Sequence, residues 1–295
     1  MNAADGRAAT FEVHRPHLRA VAYRMLGSLA DAEDAVQEAW LRYSRAETAG
    51  VGNLGAWLTT VVARVCLNQL RSRRSRREEP LPLRLPDPII ARDAGAAADP
   101  QQELLVADAV GLALQVVLET LRPAERVAFV LHDVFGVPFD EIAPIVGRSP
   151  TAARQLASRA RRRVQGSRAR PDADIDQQRR VVHAFFAAAR NGDLAALLAV
   201  LDPDVVVRAD FGPTSPASSE LRGPQPVAES ALGFSQLARH ARPALVNGTP
   251  GFVVVRDGAP FAVLGFTVSG GRIVELDVVA DPVRLRQLDL SVLHD

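Results

Sequence analysis

The stretch PFDEIAPIVGRSPTAARQLASRARRRV, residues 138–164, constrains the fold more than any other part of the chain. Ile142, Ile145 and Val146 recur at helical spacing. Gly147-Arg148-Ser149 then interrupts, and from Pro150 onward Ala153, Leu156, Ala157, Ala160 and Val164 recur on one face. Ser149 is placed to accept a backbone N–H from the following turn, and proline suits the first helical position because its missing N–H needs no partner there. The pattern predicts two short helices joined by a tight turn, a helix-turn-helix. Pro144 falls inside the first helix, where an interior proline costs about 3 kcal/mol unless the helix is short or kinked. On the second helix Thr151, Arg154, Gln155, Ser158 and Arg162 lie opposite the apolar stripe. Hydroxyls suit phosphate contacts, and Arg and Gln can pair bidentately with base edges. A solvated basic face is the alternative. The capped turn and the segregated faces favour a helix that enters the major groove.

Two earlier segments read as helices of contrasting charge. In 57–77, WLTTVVARVCLNQLRSRRSRR, Leu58, Val61, Val62 and Val65 face inward, while Arg64, Asn68 and Arg71 follow one outward line. Trp57 opens the segment. An aromatic beside a basic groove suits opened single-stranded DNA, although Trp57 equally suits a core position. In 28–43, SLADAEDAVQEAWLRY, Asp31 is placed to cap with Asp34 three residues on. Ala35, Val36, Ala39, Trp40 and Tyr43 form its apolar stripe, and Asp34, Gln37, Glu38 and Leu41 share the exposed face. Such a face repels DNA, so any partner it has is a protein; alone, it reads as a solvated helix.

Every one of the 35 basic residues is arginine, so arginine usage says little and its clustering, at 71–77 and 154–170, says more. The single cysteine, Cys66, excludes an intrachain disulfide framework and a cysteine-rich zinc site. No run of about 18 apolar residues marks a membrane segment, and the N-terminus lacks a signal core, so the expectation is a soluble cytoplasmic protein without cofactor or metal. Residues 80–102 hold five prolines and read as a linker; a second hinge covers 166–174.

Beyond that hinge the pattern changes. A helix over 176–190 and a short one after Asp193 lead to a strand at Asp204–Val207. Strand-like runs Phe252–Val255, Phe261–Leu264 and Ile273–Leu276 then alternate with Asn247-Gly248, Asp257-Gly258 and Gly270-Gly271. The expectation is an α+β domain with an antiparallel meander. Phe185, Phe186, Phe211, Phe252 and Phe266 either line a small-molecule pocket or fill the core. His183, Asp210, His240 and Asp277 are the acid–base candidates, and no pair of them has a diagnostic spacing.

DAEDAVQEAWLR, WLTTVVARVCLNQLRSRR and LRPAERVAFVLHDVFGVPFDEIAPIVGRSPTAARQLASRARRRV together resemble the two DNA-binding domains of extracytoplasmic-function sigma factors, over about residues 11–166. The resemblance implies that Asp31, Asp34, Gln37, Glu38 and Leu41 meet core RNA polymerase. It implies that the helix with Trp57, Arg64, Asn68 and Arg71, and the loop 46–55 before it, read the minus-ten element of promoter DNA. Arg148, Thr151, Arg154, Gln155, Ser158, Arg159 and Arg162 would read the minus-thirty-five element. The region from 175 is similar to SnoaL-like domains, which form an α+β cone-shaped barrel and include polyketide cyclases. LRLPDP at 83–88 resembles the Pro-acid-Pro linker motif of the subgroup with this extension. ADPVRLRQL at 280–288 resembles its Asn-Pro-Asp-Lys-Leu motif, with Ala280, Val283 and Arg284 departing from it. The extension's Gly-rich, lysine-containing motif is not recognisable in ADFGPTSPASSE.

The implied organisation is multidomain: a helical domain at 1–79, a linker at 80–107, a second helical domain at 108–168 and the α+β domain at 175–295. Pro86, Asp87, Pro88, Arg284 and Leu285 are the expected contact between linker and extension. The expected function is promoter-specific transcription initiation, without catalysis, controlled in cis by the extension. A stand-alone helix-turn-helix regulator and a regulator fused to a SnoaL-like ligand-binding or cyclase-type enzyme are the alternatives.

Overall fold

A computed structural model of the chain describes residues 3–47, 51–75, 84–92, 111–166, 172, 174–213, 215 and 217–288. Contacts divide the chain into two units. Unit one takes Met1–Pro80 and Leu118–Val164; unit two takes Leu81–Val117 and Gln165–Asp295. The described residues of the stretch read as a linker, 84–92, therefore group with the C-terminal part.

Unit one begins with three helices, α1 (Ala3–Leu26), α2 (Leu29–Arg45) and α3 (Leu54–Ser75). α2 is capped by Ser28, whose Oγ accepts the N–H of Asp31 at 3.3 Å. This corrects the expected Asp31 cap: Asp31 lies one turn inside the helix, where its carboxylate pairs with Arg73 at 2.5 Å. α3 starts three residues before Trp57, and Asn53 Oδ1 accepts the N–H of Ala56 at 3.0 Å. Phe11, Trp40, Tyr43 and Trp57 meet in one ring cluster, the Tyr43–Trp57 centroids 6.2 Å apart.

The second half of unit one follows α4 (Leu112–Thr120), whose residues from Leu118 onward belong to it. α5 (Pro123–Phe129) runs into a π turn at Val130–Val134; then come α6 (Phe139–Val146) and α7 (Pro150–Gln165). The two halves interlock through Arg126, which is 3% exposed and donates from Nε and Nη2 to the Arg24 carbonyl at 3.4 and 3.3 Å. Burial pulls the Arg126 pKa down to about 10 and pushes the nearby Cys66 thiol up to about 12, which leaves that cysteine protonated and inert.

Unit two holds α8 (Ile175–Asn191), α9 (Leu194–Val200), α10 (Pro224–Gly233) and α11 (Pro282–Leu285). Its strands are β1 (Ile90–Ala91), β2 (Leu201–Asp210), β3 (Ser219–Arg222), β4 (Ala241–Val246), β5 (Thr249–Arg256), β6 (Ala259–Ser269) and β7 (Arg272–Val279). They form an open, cone-like sheet in the order β1-β4-β5-β6-β7-β2-β3. β4 to β7 are the expected antiparallel meander. Each of its turns has two residues, and Asn247 and Asp257 take the left-handed φ of 50° and 52° that a type I′ turn requires. Outside the meander the sheet is not antiparallel throughout: β7 pairs parallel with β2. Alternation reports which face a side chain takes but not which way its neighbour runs, so this pairing left no mark in the sequence.

The two faces of the sheet are covered differently. On one face the helices close a core of Val182, Phe185, Leu197, Val205, Phe252 and Phe266. On the other, Leu85, Ile90 and Leu112 pack with Val246, Val253, Val263, Val279 and Leu285. Within the Pro-rich stretch, Leu85 and Ile90 thus lie against the sheet. A Cβ on Gly265 would sit 3.2 Å from the Leu112 side chain, so a glycine there lets the start of α4 lie close.

Candidate functional site

Helix-turn-helix geometry is built as its residue types require. α6 ends at Gly147, with φ 68°, and the N–H of Arg148 returns to the Ala143 carbonyl at 3.0 Å. Ser149 Oγ accepts the N–H of Ala152 at 3.3 Å, and Pro150 is the first residue of α7. Pro144 is tolerated in a helix of only eight residues whose Ile142, Ala143, Ile145 and Val146 are buried. Along α7, Ala153, Ala157 and Ala160 are buried; Leu156 and Val164, expected in the same stripe, are only half-buried because they sit at its margins. Arg148, Thr151, Arg154, Gln155, Arg159 and Arg162 are exposed, and Ser158 is partly so. Arg154 is not loose: its guanidinium lies over the Phe139 ring at 5.3 Å, and that ring meets His132 at 3.9 Å. The flanking cations Arg161 and Arg163 are paired, with Asp133 at 2.5 Å and Glu125 at 3.1 Å.

α3 presents Arg64, Asn68 and Arg71 as one exposed line over a buried face of Leu58, Val61, Val62 and Val65. Trp57 is half-buried in the ring cluster at the start of this line. α2 exposes Asp34, Gln37 and Leu41. Glu38 pairs with Arg42 at 3.0 Å, and Asp31 is drawn off this face by Arg73.

A third constellation lies in unit two and centres on Arg284. Its Nε donates to Asp87 Oδ1 at 2.7 Å, one terminal nitrogen to Asp210 Oδ2 at 2.6 Å and the other to the Leu85 carbonyl at 2.6 Å. Asp210 also accepts the N–H groups of Leu85 and Gly212, both at 2.9 Å. Pro86 and Pro88 are buried beside Asp87, and Leu285 is 1% exposed. Val283 is 58% exposed, because the four-residue α11 turns only Leu285 inward. Asn247 completes the attachment: its Oδ1 accepts the Ile89 N–H at 2.9 Å and its own N–H donates to the Ile89 carbonyl at 2.8 Å. At the other hinge, the Asp172 carboxylate accepts the N–H groups of Gly270 and Gly271, each at 3.0 Å. Sequence reading missed Asn247 and Asp172. The first was taken for a turn former only, and the second sat in a stretch read as a hinge.

The acid–base candidates do not converge. His183 and His240 are exposed, Asp210 is held by Arg284, and Asp277 is held by Arg208 at 3.0 Å. Burial lifts the Asp277 carboxyl from the usual 3.8 to about 6. Phe185, Phe186, Phe252 and Phe266 pack on one another as core, with Phe186 and Phe252 centroids 3.7 Å apart; Phe211 belongs to a separate cluster with Val254 and Ala262.

Residues 10–76 match the sigma-70 region 2 family, and residues 111–164 match sigma-70 region 4. Over 287 residues the chain is 42% identical to the ECF RNA polymerase sigma factor SigJ of Mycobacterium tuberculosis, covering 92% of this chain and 91% of that one. The chain belongs to the extracytoplasmic-function family of RNA polymerase sigma factors. The probable ECF RNA polymerase sigma factor SigI of the same species is 36% identical, covering 98% of both chains. The crystal structure of Mycobacterium tuberculosis SigJ superposes with a TM-score of 0.78 at 38% identity, covering 96% of this chain and 100% of that one. The sigma factor therefore directs promoter-specific transcription initiation, and a stand-alone regulator is not favoured. Region 2 spans α1 to α3, and region 4 spans the helix-turn-helix. Among the described residues no helix is long and apolar enough to cross a membrane.

Proposed function

We propose that this sigma factor uses the exposed face of α7 on the minus-thirty-five element, the Arg64–Asn68–Arg71 line of α3 on the minus-ten element, and the Asp34–Gln37–Glu38–Leu41 face of α2 on core polymerase. Each face carries the chemistry its partner demands. The two DNA faces are exposed and free of acids, whereas the α2 face is acidic and carries an exposed leucine.

Its C-terminal domain acts in cis by holding the segment that joins the two recognition regions. One observation carries this reading: the segment is tied into the domain's own sheet by Arg284, Asp210 and Asn247. A linker bound this way has a fixed exit point, so the reach between the two readers depends on whether it is docked. Run-off transcription from the full chain, from Asp87→Ala and from a chain ending at Arg170 tests this. Altered output from the two variants is expected; identical output from all three rejects control in cis.

A further inference from the structure

Around the helix-turn-helix of unit one, two sets of arginines differ in their partners. Arg73, Arg161 and Arg163 each take an acid: Asp31, Asp133 and Glu125. The guanidinium groups of Arg71, Arg122, Arg148 and Arg159 pair with no carboxylate among the described residues, yet all four residues line one cleft of about 310 Å³, together with Gln155 and Leu156. The one acid in its wall, Glu125, has a side chain only 3% exposed and is already neutralised by Arg163 at 3.1 Å. Gathering unpaired like charges around a concavity raises its positive potential and focuses it inward.

We propose that this cleft is a binding site for a small polyphosphate, such as the 5′-polyphosphate of a nucleotide or inorganic tripolyphosphate. The guanidinium fork matches phosphate oxygens in pairs, and four such forks with one amide suit a ligand carrying several phosphates in a row. The volume lies at the lower end of small-ligand sites, and Leu156 supplies an apolar wall. Duplex DNA is a poor occupant, because its phosphates lie on a convex cylinder that meets faces rather than entering a cleft. The site also joins the two halves of the unit: Arg71 comes from α3, and Arg148 and Arg159 come from the helix-turn-helix. An anion bound there favours the arrangement that brings these groups together and engages arginines that both DNA faces use. By linkage, polyphosphate and promoter DNA then oppose each other.

The test uses the full chain, with inorganic tripolyphosphate as the probe and Arg122→Gln as the variant, since Arg122 lies on neither proposed DNA face. Titration calorimetry is expected to give one site, weakened about tenfold in Arg122→Gln. Transcription by the variant without polyphosphate stays at the wild-type level, so failure of this site and failure of the promoter assignment are separable. A nucleoside triphosphate that binds more tightly than tripolyphosphate identifies a nucleotide ligand; equal affinity identifies the polyphosphate chain alone. The proposal is overturned if sulfate at matched ionic strength reproduces the effect, if Arg122→Gln binds as wild type, or if a short DNA single strand occupies the same site more tightly than either.

Discussion

Arg284 and Asp87 stand 197 residues apart in the chain, and their side chains meet at 2.7 Å in a site where each is about nine-tenths buried. The same guanidinium holds Asp210, whose side chain is 2% exposed, so one cation serves two buried carboxylates. A shared cation of this kind makes the partners unequal, and the inequality is measurable.

Arg284→Ala strands both carboxylates in a dry site and is expected to destabilise unit two by about 3–5 kcal/mol. Asp87→Ala leaves Arg284 its bonds to Asp210 and to the Leu85 carbonyl, so the expected cost is smaller, about 1–2 kcal/mol. Hydrogen exchange at the Leu85, Ile89 and Asn247 amides reports the release of the segment. Equal protection in the two variants would mean that the tie is incidental to docking.

The Asp277 carboxyl gives unit two a pH dependence of definite sign. Its pKa rises from 3.8 to about 6 because burial opposes its charge more than Arg208 favours it, with Glu275 adding repulsion. Between those values the folded chain holds a proton that the unfolded chain releases, so lowering the pH through that window stabilises the fold. Above about 6 the burial cost of the carboxylate is present in full. Urea unfolding of wild type and Asp277→Asn at pH 7.5 and 5.0 isolates this group, since the remaining carboxylates are common to both. The stability difference between the two proteins should change by about 1–2 kcal/mol in favour of wild type at the lower pH. A difference that does not move with pH refutes the assignment.

The helix-turn-helix was legible because every constraint in it is local: Gly147 for a left-handed cap, Ser149 for the next helix, Pro150 for its first position. The cap of α2 was misplaced because Ser28 and Asp31 both suit an N-cap, and the choice between them rests on the extended backbone at Ser28, φ −128°. β1 was invisible for a different reason. A two-residue strand has no periodicity, and Ile90 and Ala91 are extended because they pair with the edge of β4, next to Ile89, whose N–H the Asn247 side chain accepts. Arg284 and Asp87 were both expected in the contact between linker and extension. The second carboxylate of Arg284, Asp210, entered the sequence reading only as an acid–base candidate, since nothing local relates a strand end to a helix 74 residues on.

Charge reversal at Asp34 and Glu38 separates a partner face from a solvated one. Both lie on the outward side of α2, and the ion pair of Glu38 with Arg42 is exposed and weak. Asp34→Lys with Glu38→Lys should leave unfolding within about 0.5 kcal/mol of wild type. The same pair should lower affinity for purified core polymerase by about tenfold or more, because like charges brought together at an interface cost several kcal/mol. Wild-type retention on core polymerase would make the face solvent only.

The contact of Arg154 with Phe139 leads to a prediction about specificity rather than fold. A cation resting on a ring contributes about 0.5–1 kcal/mol at an exposed site, and here it also limits the rotamers of a side chain that would otherwise sweep the surface. The ring itself is braced by His132 at 3.9 Å, so the order runs from the turn before α6 out to the recognition face. If Arg154 reads a base, Arg154→Ala should cost about 1–3 kcal/mol and relax preference at one promoter position. Phe139→Leu keeps an apolar residue on α6 but removes the π face, and should cost about 0.5–1 kcal/mol while relaxing preference at that same position. The double variant should cost less than the sum of the two, because the ring has nothing to order once the guanidinium is gone. Holoenzyme binding to a set of minus-thirty-five variants measures all three. Strict additivity, or relaxation at different positions in the two single variants, would show that Phe139 supports the helix and not the reader.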